Sequence, residues 1–316
     1  MVAPRTVVVV NPNSQGGRLG KRWPELGEAI ARVFPFEAAI TAARGDATRL
    51  TREALRAGAE RVIAVGGDGT VNEVVNGFFA DGAAIAPDAT FGLIPFGTGG
   101  DFRRTLRLSN DVTAAASVIA SNHRKKIDVG KVTFMETPGD ASARQAVRMF
   151  ANVASFGSSG VISRMVEQSG KRLGRLSFLT ATLRATWSYK NQRIQLVFDG
   201  KDRVEATLNT VAIANARYFG GGMKIAPNAE IDDGSFDVVA IGDLGFTKVL
   251  TSSPRLYTGS HINMREVSSR RARVVSAEPI DPGSVVDLEI DGEAPGRLPA
   301  TFEVVPSALW AIVPAV

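Results

Sequence analysis

The sequence predicts an α/β domain followed by a β-rich domain. Up to about Ile127, short apolar runs alternate with helical patterns, which is typical of a doubly wound parallel sheet with helices on both faces. From Asp128 onward, strand-like runs dominate. The chain has 316 residues, more than one hydrophobic core usually supports, so two domains are expected.

Strands and helices alternate in the first part of the sequence. The apolar runs that predict strands are Thr6–Val10, Phe36–Ile40, Arg61–Val65 and Thr90–Ile94. The helical patterns are Leu19–Val33, Ala47–Ala57, Val71–Phe79 and Val112–Ser121. Asp46 is expected to cap the second of these helices and Gly58 to end it, because these residue types favour those positions.

Strands are predicted throughout the second part, with a helical segment at Val161–Lys190. The strand-like runs are Val129–Phe134, Arg148–Ser155, Arg193–Phe198, Glu205–Ala214, Phe236–Ile241, Ala272–Ser276 and Val285–Ile290. The dipeptide Asp199-Gly200 indicates a hairpin turn between two of them. The closing segment, Ala300–Val313, is also strand-like and fits either domain.

The composition excludes several kinds of site. The chain has no cysteine, which excludes disulfides, thiolate metal sites and a cysteine nucleophile, and two histidines are too few for a multi-histidine metal centre. No apolar run reaches the roughly 20 residues of a spanning helix and no signal peptide is visible, so a cytoplasmic protein is expected. The net charge of +5 lies partly in basic clusters without interleaved aromatic residues, so no nucleic acid partner is expected.

Three glycine-rich loops follow three of the predicted strands, at Asn11–Gly17, Gly66–Thr70 and Pro95–Phe102. The carboxyl ends of parallel strands share one edge of a sheet, so the loops are expected to form a single site. Backbone N–H groups at a strand-to-helix turn can approach an anion closely, and a helix N-terminus favours negative charge. The loops therefore predict a polyphosphate site.

Carboxylates in and beside these loops indicate a bound cation. Asp68, Glu73 and Asp101 would repel phosphate unless magnesium bridges them. A dinucleotide fingerprint and a Walker lysine are both absent from the sequence, so hydride chemistry is disfavoured. Two later turns stay open from spacing alone: Asp232-Asp233-Gly234 fits a hard cation or a solvated turn, and Asp291-Gly292-Glu293 is also a common turn sequence.

In this combination the chain resembles the catalytic family of diacylglycerol kinases, lipid kinases that also include sphingosine and ceramide kinases. The resemblance runs in order through nearly the whole chain, at Asn11-Pro12, Gly66–Glu73, Gly97–Phe102, Ile127–Gly130, Phe150–Asn152, Gly222–Pro227, Asp232–Gly234 and Asp291–Glu293. It implies an NAD kinase/diacylglycerol kinase-like α/β domain at 1–127, to which a tail of about 300–316 returns. It also implies a C-terminal β-sandwich domain at 128–299, with the lipid near a cleft against it.

The resemblance further implies an ATP- and Mg²⁺-dependent reaction with roles for single residues. Glu293 would accept the proton of the lipid hydroxyl. Asp68 and Asp101 would organise the catalytic magnesium, with Asp128 a weaker candidate. A structural magnesium would be held by Asp233 with main-chain oxygens of Glu230 and Ser235. ATP would be bound by Asn11, Pro12, Asn13, Ser14, Gln15, Gly16, Thr41, Gly66, Gly67, Asp68, Gly69, Thr70, Asn72, Glu73 and Thr98.

Several alternatives stay open at this point. Gly100 stands where the family usually has asparagine, and it is the one feature that favours a catalytically silent nucleotide- or lipid-binding regulator. An NAD kinase would explain the Gly66–Thr70 loop but not Asn11-Pro12 or Asp291–Glu293. Diacylglycerol is the default acceptor, and the alternatives are a ceramide- or sphingosine-type lipid and phosphatidylglycerol.

A membrane lipid as substrate implies peripheral contact with a membrane surface. The stretch Leu176–Tyr189 is more typical of a buried helix face, whereas Leu173 and Leu176 with the flanking Arg172 and Arg175 would suit such contact. An unpaired sheet edge in the β-rich half would allow a homodimer.

Overall fold

The computed structural model describes residues 3–136, 144–168 and 188–315. The chain divides into two compact units, one formed by Met1–Val129 with Pro306–Val316 and the other by Gly130–Val305. Leu173 and Leu176, and most of the predicted helix Val161–Lys190, lie outside the described residues. None of the described helices has the length and apolar composition that crossing a membrane requires.

The strands and helices of the described residues are numbered here in chain order. The strands are β1 Thr6–Val10, β2 Glu37–Ile40, β3 Arg61–Gly66, β4 Phe79–Ala80, β5 Ala83–Ala84, β6 Thr90–Pro95, β7 Arg124–Glu136, β8 Gln145–Phe150, β9 Val153–Gly157, β10 Gln192–Phe198, β11 Asp202–Leu208, β12 Thr210–Ala214, β13 Phe236–Ile241, β14 Val267–Ala272, β15 Val274–Pro279, β16 Asp287–Ile290 and β17 Glu293–Ile312. The helices are α1 Ser14–Ala31, α2 Asp46–Arg56, α3 Asp68–Gly77, α4 Asp101–Thr105, α5 Val112–Ser121, α6 Ser158–Gln168, α7 Phe246–Ser252 and α8 Pro254–Thr258, and a 3₁₀ turn spans Ser260–Asn263.

The first unit is built on a parallel sheet with the order β17-β6-β3-β1-β2. Strands β1 and β3 are buried along their whole length, which explains why their sequences are continuous apolar runs rather than alternating ones. One side of the sheet packs on α1 and α5 through residues that include Val8, Leu19, Ile63, Ile119 and Ile312. The last part of β17 thus returns to this unit and pairs with β6.

The start of α2 differs from the prediction. Asp46 is the first helical residue, and the cap position belongs to Gly45 in a left-handed conformation with φ 86°. The Asp46 carboxylate accepts hydrogen bonds from the N–H groups of Ala42 and Ala43 at 2.8 and 2.9 Å. These backbone donors lower the pKa of Asp46. The predicted cap is therefore wrong because the chain enters this helix through a turn that needs glycine.

The second unit is an antiparallel β domain. Its strands run in the order β14-β13-β12-β9-β16-β17, and β17 also pairs with β7 and β15. Phe150 stacks on Phe236 and Phe156 on Phe302, with ring centroids 5.5 and 6.1 Å apart. These four rings lie in one large core with side chains from most of the strands. The predicted Asp199-Gly200 turn is confirmed, since both residues have positive φ and join β10 to β11.

In this unit, three runs that were each predicted as a single strand form two strands in the structure. The run Arg148–Ser155 breaks after Phe150, the run Glu205–Ala214 breaks at Asn209, and the run Ala272–Ser276 breaks at Arg273. At Arg273 the cause is visible, because its N–H and that of Val274 both donate to the Asp199 carboxylate at 2.9 Å. Side-chain acceptors distant in sequence take up backbone donors here, which local periodicity does not predict.

Candidate active site

Three glycine-rich loops of the first unit follow β1, β3 and β6 at the same edge of the parallel sheet. Side chains of the first loop fasten it to the other two. Asn11 donates from Nδ2 to Thr70 Oγ1 at 3.1 Å, and Gln15 donates from Nε2 to the Gly97 carbonyl at 3.2 Å. The structure therefore brings the three predicted loops together in one place.

The second and third loops also approach backbone to backbone. A Cβ atom at Gly97 would lie 2.6 Å from the Cα atom of Gly67, a distance that real side chains do not adopt. Glycine is required at this crossing, because any side chain on Gly97 would push the loops apart. The result is a surface formed by main chain, which is the kind of surface that accepts a phosphate closely.

Asp68 joins these two loops through its carboxylate. It accepts hydrogen bonds from the N–H groups of Gly100 at 2.8 Å and Asp101 at 3.1 Å, at the start of α4. Gly100 has φ 68° and ψ 39°, a left-handed conformation that glycine and asparagine adopt most readily. Gly100 therefore keeps the backbone geometry that an asparagine would have there, and it loses the side-chain amide.

Asp68 and Asp101 converge beside Gly99. Their Oδ2 atoms lie 2.5 and 4.0 Å from the position of a Cβ on Gly99, and the Asp101 side chain is only 8% exposed. Two carboxylates next to a phosphate-binding main chain are a donor set that suits magnesium, which typically takes one or two carboxylates together with substrate phosphates. The residues present here fit the ion.

Two arginines place positive charge on α4. Arg104 donates from Nη1 to Asp101 Oδ1 at 3.0 Å and to the Gly99 carbonyl, while Arg103 donates to the Leu108 carbonyl at 2.7 Å. Burial, and then the charge of Arg104, lower the pKa of Arg103 below its ordinary value, while Asp68 and Asp101 act in the opposite direction. The positive charges of the two arginines offset the negative charges of Asp68 and Asp101.

Two of the residues predicted to bind the nucleotide, Asn72 and Glu73, make hydrogen bonds to other residues of the protein. Both carboxylate oxygens of Glu73 accept backbone N–H groups, from Gly45 at 2.9 Å and from Ala47 at 3.0 Å. Asn72 is buried and accepts a hydrogen bond from Asn76 through its side-chain oxygen. Glu73 therefore joins α3 to the start of α2, whereas the contact of Asn72 lies within α3.

The other residues predicted to bind the nucleotide differ in solvent exposure. Ser14 and Thr41 are buried, and the Thr41 N–H donates to the Val10 carbonyl at 2.9 Å. Thr98 is exposed at the third loop. Pro12, Gly67 and Gly69 are half-buried, Gly66 is buried, and Asn13 and Gly16 are exposed. ATP binding by this set stays a prediction.

Glu293 begins β17 in the second unit, directly after the turn Asp291-Gly292. Its carboxylate accepts a hydrogen bond from Nη1 of Arg148 at 3.0 Å, and its side chain is 13% exposed. The ion pair holds the Glu293 side chain in one direction. Sequence patterns gave no signal for Arg148, because 145 positions separate it from its partner.

Asp291 fixes the backbone of this turn. Its carboxylate accepts the N–H groups of three successive residues, Ala151 and Asn152 at 3.2 Å and Val153 at 3.0 Å. Asp291 and Gly292 both have positive φ, and the Gly292 N–H donates to Glu289 at 2.7 Å. The Asp-Gly pair was visible in the sequence, but its anchoring role was not.

In the Asp232-Asp233-Gly234 turn, the carboxylate of Asp233 forms an ion pair with Arg271. Asp233 accepts the Ser235 N–H at 3.0 Å and an Nη2–H of Arg271, and Glu230 is exposed nearby in the chain. No group of three or more acids or histidines in the described ranges is arranged to hold a metal. The predicted metal role of Glu230, Asp233 and Ser235 stays a prediction.

Asp128 is the last acid of the predicted set, and Asp237 is a buried acid outside that set. Asp128 is buried and accepts the Ser307 N–H at 2.7 Å, so it ties the returning tail to β7 in the first unit. Asp237 follows the Asp233 turn, and burial raises its pKa, while Arg271 opposes that effect and Asp233 adds to it.

Residues 5–132 match the family model of the diacylglycerol kinase catalytic domain, and residues 152–313 match that of the YegS C-terminal NAD kinase beta sandwich-like domain. A diacylglycerol kinase of Staphylococcus carnosus strain TM300 is 30% identical over 307 residues, covering 94% of this chain and 91% of that protein. The chain belongs to the diacylglycerol kinase family. The predictions of family, fold class and lipid kinase as enzyme class are confirmed.

Another relative and a solved structure are also similar to this member of the diacylglycerol kinase family. A diacylglycerol kinase of Mycobacterium tuberculosis strain H37Rv is 29% identical over 270 residues, covering 85% of this chain and 82% of that protein. A crystal structure of a diacylglycerol kinase from Bacillus anthracis strain Sterne superimposes with a TM-score of 0.71 at 22% identity, covering 99% of this chain and 98% of that one. At this identity the structural likeness shows the fold alone.

Proposed function

We propose that this protein transfers the terminal phosphoryl group of ATP to the hydroxyl of diacylglycerol. The observation that carries the proposal is the convergence of Asp68 and Asp101 at Gly99, inside three interlocked glycine loops. Phosphoryl transfer depends on positioning and charge neutralisation more than on covalent chemistry, and this site offers both. The acceptor is taken from the names of the relatives.

The first unit binds the nucleotide in this proposal. Main-chain N–H groups of the loops donate hydrogen bonds to the phosphates, and Asn11 and Gln15 hold the first loop against the other two. Magnesium, when bound, neutralises the negative charge that grows on the phosphoryl oxygens. Asp68 and Asp101 would hold it, while Arg104 fixes Asp101 through their ion pair.

Glu293 is the proposed proton acceptor. The lipid oxygen forms a bond to the terminal phosphorus, the bond from that phosphorus to ADP breaks, and the hydroxyl proton passes to the Glu293 carboxylate. In a loose transition state the hydroxyl needs little deprotonation before the new bond forms, so a carboxylate can orient it and take the proton late. Arg148 keeps the carboxylate in position.

No step of this reaction uses a metal at Asp233. Its carboxylate is balanced by Arg271 and closes its own turn, so a structural magnesium there would compete with the guanidinium. We retain the site as a separate proposal. Calorimetric titration of Asp233→Asn with magnesium tests it, because an unchanged number of bound ions would contradict it.

The function is tested by incubating the protein with radiolabelled ATP and magnesium. Dispersed diacylglycerol, ceramide, sphingosine and phosphatidylglycerol are supplied separately, with NAD as a further acceptor. We expect label in the product of diacylglycerol, identified by chromatography. Label in NAD instead would identify an NAD kinase, and ATP binding without transfer to any acceptor would identify a catalytically silent regulator.

A further inference from the structure

The short helices α7 and α8 of the second unit bury none of their residues. Leu250 on α7 is 48% exposed and Tyr257 on α8 is 56% exposed. Among the described residues, six large hydrophobic side chains are 42% exposed or more, and two of them lie in this segment of 13 residues. Exposed apolar side chains that gather on one segment mark a contact surface.

This segment and the residues that flank it have one sign of charge. From Leu244 to Arg265 the sequence has no acidic residue and three cations, Lys248, Arg255 and Arg265. Lys248 forms an ion pair with Glu266. Arg255 and Arg265 are exposed and have no ion-pair partner within the described part of the chain. A surface that combines unpaired cations with exposed Leu and Tyr is complementary to an anionic, partly apolar surface.

The helices are fixed to the core of the unit and are not a loose appendage. Leu256 on α8 packs against the apolar cluster that contains Ile225 and Val239, and its carbonyl accepts the Lys224 N–H at 2.7 Å. The buried His261, in the following turn, bonds through Nε2 to the Ile225 carbonyl at 3.0 Å. A surface that is already folded loses little conformational freedom when it binds.

We propose that α7 and α8, with Arg255 and Arg265, form the surface through which the protein docks on an anionic phospholipid bilayer. The inference rests on the proposed function, since a kinase for diacylglycerol must reach a lipid that stays in the membrane. Tyrosine is enriched at the membrane interface, leucine inserts among acyl chains, and arginine is attracted to anionic headgroups. All three residue types are present and exposed within Leu250–Arg265.

The test measures how the full-length protein partitions between buffer and sedimented vesicles. One set of vesicles contains phosphatidylcholine alone, and the other adds phosphatidylglycerol. We expect binding to the anionic vesicles that weakens as salt is raised. Arg255→Gln and Arg265→Gln should each lower the partition constant about fivefold on anionic vesicles. The double change Leu250→Ser with Tyr257→Ser should lower it as well.

Val285→Ser is the matched control, because Val285 is also 56% exposed in the second unit but lies outside the segment. It should partition as the wild type does. Thermal unfolding checks that every variant is folded. If the apolar double variant does not fold, the arginine variants alone test the proposal. The proposal is overturned if the wild type does not bind anionic vesicles, or if the segment variants bind as well as Val285→Ser does.

Two further readouts separate the alternatives. If the apolar variant changes the sedimentation coefficient of the protein without vesicles, the surface contacts a second copy of the chain and the proposal is wrong. Transfer of phosphate to a short-chain diacylglycerol dispersed without vesicles should be equal in all variants. If the wild type shows no such transfer, the proposed function fails, whereas the partition measurements still decide whether the surface binds membranes.

Discussion

Arg148 donates from Nη1 to Oε2 of Glu293 at 3.0 Å, across 145 positions of the sequence. The pair lies within the second unit, next to a turn whose main chain is held by buried carboxylates. In the proposed reaction Glu293 takes the proton, and Arg148 holds the Glu293 carboxylate in place. Removing either side chain should therefore have a different kinetic effect.

Replacing Glu293 by glutamine removes the proposed proton acceptor and keeps the shape of the side chain. We expect kcat to fall about 100-fold or more, since general bases typically contribute that much. The affinity for ATP should be unchanged by calorimetry, because the proposed nucleotide loops belong to the first unit. Glu303→Gln, on the same strand and paired with Lys131, is the control. Near-normal turnover of Glu293→Gln would make the assignment wrong.

Changing Arg148 tests the positioning role. Arg148→Met should lower kcat about tenfold with little change in the KM for ATP, because an ion pair of this kind is worth about 1–2 kcal/mol in coupling. Arg148→Lys should recover most of the rate. Arg193→Met, which breaks an exposed pair with Asp281, should leave the rate unchanged. Equal rates for Arg148→Met and wild type would remove Arg148 from the mechanism.

Asp291 should contribute strongly to stability. In Asp291→Ala the N–H groups of Ala151, Asn152 and Val153 lose their shared acceptor inside the protein. We expect the free energy of unfolding in urea to fall by about 3 kcal/mol. Asp281→Ala removes an exposed carboxylate and should cost less than about 1 kcal/mol. A loss of similar size in both variants would contradict the anchoring role.

Asp68 should affect turnover more than folding. Asp68→Ala removes the acceptor at the start of α4, a loss comparable to that of a helix cap, at about 0.5–2 kcal/mol. Turnover should fall about 100-fold, because the proposed magnesium loses a carboxylate next to the phosphates. The exposed Asp88→Ala is the control in the same unit. Poor yield of soluble protein with normal specific activity would instead assign Asp68 a structural role.

His261 should make stability depend on pH. Burial lowers its pKa below the ordinary 6.5, although the hydrogen bond to the Ile225 carbonyl opposes this. The unfolded chain therefore binds a proton near pH 6.5 that the folded protein resists. Stability is fully present above that pH and is lost as pH falls below it.

Urea unfolding at pH 8 and pH 5 measures this effect. His261→Gln should lose less stability between the two values than the wild type does. His123→Gln provides the comparison, because His123 is exposed and is the other histidine of the chain. Equal losses in the wild type and His261→Gln would show that another group causes the pH dependence.

The sequence by itself determined the two-part fold and the three glycine-rich loops. Continuous apolar runs such as Thr6–Val10 and Arg61–Gly66 indicate strands that are buried on both faces, and the glycines after them mark turns into helices. These are local signals: each depends on residues close together in the chain. The ordered motifs also identified the family, because they recur through nearly its whole length.

The tertiary structure decided which side chains meet. Asp68 bonding the N–H groups of α4, Arg148 pairing with Glu293, and Asp291 closing over Ala151–Val153 all join residues 32 or more positions apart. One of these contacts also explains an error, since the strand predicted at Arg148–Ser155 stops where backbone N–H groups donate to Asp291. Long-range hydrogen bonds override local periodicity, because a buried N–H group must find an acceptor wherever the fold provides one.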